Sequence, residues 1–424
     1  MEQIRNFEGA REVLKTYIPQ TSQREAYTLE RMTTLMEKLG NPQEKYKVIH
    51  IAGTSGKTST AYYVSSILKA HGLKVGLTVS PHVDEVNERI QIGLKPLPEK
   101  IFCSNLAQFI NLVEKTGIKP TYFELLVAFA YWYFAKVAVD YAVVEVGLGG
   151  LLDGTNVVNR QDKTCVITDI GYDHVSVLGE TIEAIATQKA GIIRPYNTVF
   201  AYEQGSEVMT ILREVADQQQ AELHEILPMK AEELLKELPL FQRRNWYLAK
   251  EAVQYIAERD GLDTLTQEQL AKSAQTYIPA RMETCQYHDK TLIMDGSHNA
   301  QKIHALVGGL KQKFPKTHMS VLIGLLEEKD VHVKQILQEL KSLTAHLVVT
   351  SFFADQDIPK KPLNPETIAK AAKDMGFDSV EVITDAPTAL RSLLDRPEKH
   401  MLVTGSFYLL NHIRPLVKHD TVNV

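Results

Sequence analysis

The densest chemical signal in this chain is Gly53-Thr54-Ser55-Gly56-Lys57-Thr58-Ser59, directly after the apolar segment 47–52 and opening an amphipathic stretch that runs to about His71. Glycines allow successive backbone N–H groups to face one point, a helix N-terminus favours an anion, and a lysine at its start can reach terminal phosphates. Ile51 stands where a full Walker A pattern has its first glycine, so the match is partial. The pattern predicts a phosphate site lined by Thr54, Ser55, Gly56, Lys57, Thr58 and Ser59, with the Thr58 or Ser59 hydroxyl able to orient Mg²⁺. An ordinary strand-to-helix turn with a solvated lysine is the plainer alternative. The order strand, glycines, lysine, hydroxyls favours the phosphate.

Further polar residues fall just beyond apolar runs. Ser80-Pro81-His82 follows 74–79, Glu145 ends YAVVEV (141–146), and Asp173-His174 follows 164–170. Each alone is compatible with a hydrogen-bonded structural residue. Together over one sheet edge, a hydroxyl, a carboxylate and an imidazole could hold a hard divalent cation against nucleotide phosphates. Gly147-Leu148-Gly149-Gly150-Leu151-Leu152-Asp153 reads equally as a second backbone-rich binding loop or as a glycine turn with Asp153 capping the next segment. Lys189, late in a helical segment, is by itself a surface lysine. Asp295-Gly296-Ser297-His298-Asn299 follows another apolar run, a ligand position in which Asn299 could equally be a plain N-cap. No GxSxG elbow, HExxH or Cys–His arrangement is present, which disfavours a nucleophilic hydrolase or a zincin.

The elements that must position these residues alternate between short apolar runs and helical patterns. Runs at 47–52, 74–79, 141–146, 164–170 and 197–202, with helical stretches such as 122–137 and 181–193 between them, predict a parallel-rich sheet covered on both faces. Beyond Pro279 the pattern restarts at 291–296, 319–324, 346–351, 380–385 and 401–406, enough for a second, smaller Rossmann-like α/β domain. The boundary is placed near 280–287, at Pro279 and the polar stretch 284–289, giving domains 1–280 and 281–424. In such sheets ligands bind beyond the carboxyl ends of the strands, which is where these polar residues fall.

Length and composition agree. The 424 residues fit two domains, and 44% hydrophobic with 23% charged residues excludes disordered, collagen-like and coiled-coil classes. A net charge of −5 gives no electrostatic case for nucleic acid or an anionic membrane. Cys103, Cys165 and Cys285 form no CxxC pair, so neither a disulfide framework nor a thiolate metal site is expected. The N-terminal segment lacks an apolar signal region, and the longest apolar run, Leu125 to Ala135, is too short to span a bilayer. A cytoplasmic, monomeric protein acting on small molecules is expected.

The segments HIAGTSGKTST, SPHVDEVNERI, VVEVGLGGLLDGTN, ITDIGYDHVSVLGETIEAIATQKAGI, PARMET, MDGSHN and VTGSFYLL, in this order over nearly the whole chain, resemble the folylpolyglutamate synthase/dihydrofolate synthase family of the Mur ligase superfamily. The GTxGK loop points only to the superfamily; NERI, GLGGxLDxTN and DGxHN point to the folate branch. The resemblance implies a P-loop ATPase domain and a Rossmann-like glutamate ligase domain with the active site between them. It also implies that ATP activates a pterin carboxylate as an acyl phosphate, which the amine of L-glutamate attacks. By motif matching, Lys57 holds the ATP phosphates, Ser80, Glu145 and His174 are Mg²⁺ ligands, and Lys189 is the lysine carbamylated in many members to bind a second Mg²⁺. Gln242 and Asn245 match the helix that touches the nucleotide; Arg281, Asp295 and His298 match second-domain or hinge residues that close over ATP and glutamate, with Lys57, Lys189 and His298 as the catalytic set; Ser406 and Tyr408 match glutamate contacts. Arg89, Tyr122, Phe123 and Asp153 fall at the pterin or folate position.

Two departures stand out. Thr58 replaces the glycine usual in the folate branch, and Leu151 replaces the usual arginine of its GGRLDATN segment, removing a cation beside the substrate loop. These leave open a Mur-type amino-acid ligase acting on a different acidic acceptor.

Overall fold

The computed structural model describes residues 4–18, 28–227, 235–327, 332–344, 346–354 and 359–418. The chain divides into two units, residues 1–238 with 242–276, and residues 239–241 with 277–424.

In the first unit an eight-stranded sheet is built from β1 (Lys47–Ala52), β2 (Val75–Thr78), β3 (Gln91–Ile92), β4 (Lys95–Pro96), β5 (Tyr141–Glu145), β6 (Thr164–Ile167), β7 (Thr198–Tyr202) and β8 (Glu222–Ile226). Their order is β4-β3-β2-β5-β1-β6-β7-β8. All neighbours pair in parallel except β2–β3 and β3–β4. The five apolar runs form the five strands from β2 to β7 in this order, because strands covered on both faces must be apolar throughout. Three strands carry no such signal. β3 and β4 are two residues each, and β8, ELHEI, lies at the sheet edge, where charged side chains are tolerated and discourage further pairing.

The apolar run 125–135 lies within the buried helix Tyr122–Lys136. No helix among the described residues is long and apolar enough to cross a membrane. Its start is set by a reciprocal cap: Glu124 N donates to Thr121 Oγ1 while Glu124 Oε2 accepts from Thr121 N. Arg31 grips the same carboxylate with two N–H groups, at 2.7 and 3.1 Å, which ties the helix Glu30–Lys38 to the point where Tyr122 and Phe123 emerge. The three cysteines are unpaired.

The second unit carries β9 (Glu283–Tyr287), β10 (Lys290–Asp295), β11 (Met319–Ile323), β12 (His346–Val349), β13 (Ser379–Val382) and β14 (His400–Thr404), in the order β13-β12-β11-β14-β10-β9. The five expected apolar strands are β10 to β14, which pair with one another in parallel throughout. The polar stretch 284–289, expected as a connection, instead holds most of β9, which pairs antiparallel with β10 through the turn at His288. As an edge strand it needs no continuous apolar run, so its composition resembled a linker.

The start of β9 is fixed by a buried ion pair. Arg414 donates Nε to Glu283 Oε2 at 2.8 Å and Nη2 to Oε1 at 3.1 Å, while Tyr277 Oη and Ala280 N–H donate to the same carboxylate. Removing one partner of such a pair strands the other charge in the interior. Arg414→Met is therefore expected to lower stability by ~3–5 kcal/mol, read as a fall in the urea midpoint; an unchanged midpoint would mean that Glu283 is satisfied without Arg414.

Candidate active site

β1 ends at Ala52, and the next glycine adopts a backbone that would strain any side chain: at Gly53 (φ 152°) a Cβ would lie 1.9 Å from Thr168 Oγ1. Thr54 and Ser55 turn their N–H groups to the Asp169 carbonyl, and Thr54 Oγ1 donates to Gly171 O at 2.9 Å, so these two anchor the loop to the segment after β6. Gly56 (φ 91°) is the N-cap of the helix Lys57–Ala70 and offers no side chain to its first turn. The opening N–H groups there form the anion-favouring end that the spacing predicted. Ser59 is buried in the same turn.

Lys57 Nζ donates to Gly53 O at 3.0 Å, and Lys189 Nζ donates to the same oxygen at 2.9 Å. Lys189 lies near the end of the helix Ile182–Ala190 and is 4% exposed, so it is not the surface lysine its sequence position suggested. Two ammonium groups held on one carbonyl repel each other, and a bound polyphosphate would relieve that repulsion.

Glu145 closes β5, the neighbour of β1, and is buried. Its Oε1 accepts from Thr58 Oγ1 at 2.8 Å and its Oε2 from Ser80 N–H at 3.2 Å. This brings together two of the expected metal ligands and the departing Thr58. His174 has a left-handed backbone (φ 52°) and lies 3.9 Å from Asp173. Among the described residues no three His, Cys, Asp or Glu side chains converge. A buried carboxylate with the Thr58 hydroxyl beside it nonetheless has the donor chemistry of a Mg²⁺ site completed by phosphate oxygens.

The helix Leu240–Asp260 meets this loop. A Cβ on Gly56 would come within 2.6 Å of Asn245 Oδ1, Gln242 is buried a turn earlier, and Arg244 pairs with Asp169 at 2.7 Å. On the other flank, buried Arg89 donates Nε to His82 Nδ1 at 3.0 Å and holds its guanidinium 5.5 Å over the Tyr122 ring. Phe123 fills the space beside Gly147. Asp153 is buried, with Oδ2 accepting from Leu148 N–H and Oδ1 from Thr155 N–H and Oγ1, so it organises its own glycine loop. Burial pushes its carboxyl up, against the lowering effect of those donors. The Leu151 Cβ lies against Gly191. Where the folate branch usually has arginine, this chain packs an apolar side chain.

In the second unit Asp295, at the end of β10, accepts from Ser297 N–H and Oγ and from Met282 N–H. Burial raises its carboxyl and the Arg281 charge opposes that. Ser297 O accepts from Gly405 N–H at 3.0 Å, bringing the DGSHN turn beside the turn after β14. Arg281 sits 4.5 Å over the Phe407 ring, and His298 meets the same ring edge-on at 6.1 Å. His298 Nδ1 contacts Gly296 O at 2.8 Å and its Nε2 contacts Lys302 Nζ at 3.1 Å. A carbonyl only accepts and an ammonium only donates, so the ring is the neutral Nδ1–H tautomer. Asn299 does cap the helix Ala300–Lys313. Ser406 Oγ accepts from Tyr408 N–H, and the Tyr408 ring lies parallel to Phe352.

Sequence reasoning missed His82 as the partner of Arg89, and also Thr155, Lys302 and Phe407. His298 precedes the N-cap Asn299, so the spacing rule for helix faces does not reach from it to Lys302, and all four face their partners only through the fold.

Residues 51–231 match the Mur ligase middle domain, and residues 280–407 match the Mur ligase glutamate ligase domain. With a phosphate-type loop on the first sheet, these define a Mur ligase, an ATP-dependent enzyme that forms C–N bonds. The chain is 30% identical to the dihydrofolate synthase/folylpolyglutamate synthase of Bacillus subtilis, over 92% of this chain and 95% of that one. It is 31% identical to the dihydrofolate synthetase of Saccharomyces cerevisiae, over 91% and 96%. The Mycobacterium tuberculosis folylpolyglutamate synthase solved with ADP matches with a TM-score of 0.86 at 28% identity, covering 98% and 99% of the two chains. The chain belongs to the folylpolyglutamate synthase/dihydrofolate synthase family and is an ATP-dependent ligase that adds L-glutamate to a folate-type acceptor.

The close approach of Gly56 to Asn245 yields a test. Gly56→Ala adds a methyl to a left-handed backbone against the Asn245 amide, and is expected to weaken ATP binding at least about tenfold in calorimetry with the circular dichroism spectrum unchanged. Undiminished affinity would show that the loop need not hold this conformation.

Proposed function

We propose that the loop from Gly53 to Ser59 binds the ATP phosphates, with Lys57 as their principal charge and Thr54, Ser55, Gly56, Thr58 and Ser59 around them. The convergence of Lys57 and Lys189 on the Gly53 carbonyl carries this reading, because it brings two cationic side chains to the turn where a polyphosphate would lie. Gln242 and Asn245 would add nucleotide contacts from their helix, and we assign Arg281 and Asp295 to the nucleotide as well. Ser80, Glu145 and His174 would hold Mg²⁺, which when bound neutralises charge on the β- and γ-phosphate oxygens. Carbamylation of Lys189 would replace its repelling ammonium by an anion able to hold a second Mg²⁺.

The acceptor, dihydropteroate or a reduced folate, would lie at Arg89, Tyr122, Phe123 and Asp153. Its carboxylate oxygen attacks the γ-phosphorus, the bond to ADP breaks, and Lys57 offsets the charge that develops. The L-glutamate amine then attacks the acyl carbon, phosphate leaves and the amine proton is lost. We assign Ser406 and Tyr408 to glutamate, and His298, whose ring is held neutral, to the closing of the site over ATP and glutamate. Catalysis by a monomer in the cytoplasm on small-molecule substrates belongs to the same reading.

Lys57→Ala is expected to cut kcat at least about a hundredfold with the fold intact, since it removes the charge facing the transferred phosphoryl group; near-normal turnover would remove the phosphate assignment. Phosphate release with ATP, Mg²⁺ and L-glutamate should require a pterin acceptor. Turnover with dihydropteroate alone marks a dihydrofolate synthase, with tetrahydrofolate alone a polyglutamylating enzyme, and with both a bifunctional one. Silence with both would move the acceptor outside folate chemistry, the direction in which Leu151 points.

A further inference from the structure

A buried hydrogen-bond chain joins β1 to the glycine loop 147–150, and two of its members, His50 and Thr155, take part in no step of the ligation. His50 Nε2 lies 2.9 Å from Thr155 Oγ1, which lies 2.5 Å from Asp153 Oδ1. His50 and Thr155 are fully buried and Asp153 nearly so. Both Asp153 oxygens also accept backbone N–H groups, from Leu148 and Thr155. A hydroxyl has one proton, and Thr155 gives it to the carboxylate. His50 must therefore donate its Nε2–H to Thr155. Its Nδ1 is buried with no hydrogen-bond partner, as suits the unprotonated nitrogen of a neutral ring. Tyr131 Oη closes the node by donating to Thr155 O at 2.7 Å.

The direction of this chain matters because of what stands at its two ends. His50 lies three residues before Gly53 on the strand that feeds the phosphate loop. Asp153 holds Leu148 N–H in the loop against which Phe123 packs. An apolar pair at 50 and 155 would fill the interior without desolvating polar groups; the polar chain adds a fixed orientation for Asp153. We infer that His50 and Thr155 are positioning residues for the acceptor loop, acting through Asp153 rather than on any substrate themselves. This rests on the reading that Phe123 and Asp153 face the pterin acceptor.

Thr155→Val removes the hydroxyl at nearly constant volume, and Thr155→Ser keeps it. Thr155→Val is expected to raise KM for the pterin acceptor about tenfold while KM for ATP stays within about twofold, and Thr155→Ser should restore the acceptor KM. His50→Leu should give the same split if Thr155→Val folds poorly. Imidazole ¹⁵N NMR should show His50 as the Nε2–H tautomer in the parent chain and a tautomer mixture in Thr155→Val. An unchanged acceptor KM, an equal rise in both KM values, or failure of Thr155→Ser to rescue would overturn the inference and leave the chain as scaffolding. A parent enzyme that uses neither dihydropteroate nor tetrahydrofolate would overturn the acceptor reading as well, whereas an active parent with an indifferent Thr155→Val removes the positioning role alone.

Discussion

Two ammonium groups, Lys57 and Lys189, share the carbonyl oxygen of Gly53, and on that oxygen the turn after β1 meets the helix Ile182–Ala190. Like charges at hydrogen-bond distance from one atom repel, more strongly where water is sparse. The Gly53 backbone is fixed against Thr168, Thr54 and Ser55 are tied to Asp169, and Lys189 is carried in on a helix that also receives the glycine loop through Leu151 N–H and the Gln188 carbonyl. Cations gathered during folding need not be gathered at binding, the sense in which this turn would be preorganised for an anion.

The neighbouring carboxylate is tied to the same loop. Glu145 ends the strand beside β1 and is held at both oxygens, by Thr58 from the phosphate loop and by Ser80 from the end of β2. Thr58 stands where the folate branch usually has glycine, and here its hydroxyl links the phosphate loop to that carboxylate. The second unit repeats the device on its own sheet: Asp295 ends β10, is gripped by the turn it precedes, and lies beside the turn after β14 through Ser297. Parallel sheets make this economical, because adjacent strands bring their carboxyl-terminal turns to one edge.

The strands covered on both faces were legible because each must be apolar along its whole length. β3, β4, β8 and β9 were not, being too short or lying at a sheet edge where polar side chains are permitted. The glycine-rich turn from β1 into the helix Lys57–Ala70 was legible because its glycines, lysine and hydroxyls act within one turn of chain. Lys189 was legible only through its resemblance to relatives; its position late in a helix carries no sign of burial.

Two α/β sheets, the loop after β1 and membership of the family are written in the amino-acid order alone, since they rest on local periodicity and contiguous motifs. Other contacts exist only once the chain has folded: Lys189 reaches Gly53 across 136 positions, Thr58 meets Glu145, Arg89 pairs with His82 over Tyr122, and Asp153 is bound to its own loop and to His50 through Thr155. These contacts depend on which strands are neighbours and on how far each turn extends past the sheet edge. That order is set by packing of the whole chain, so no local window of sequence contains it.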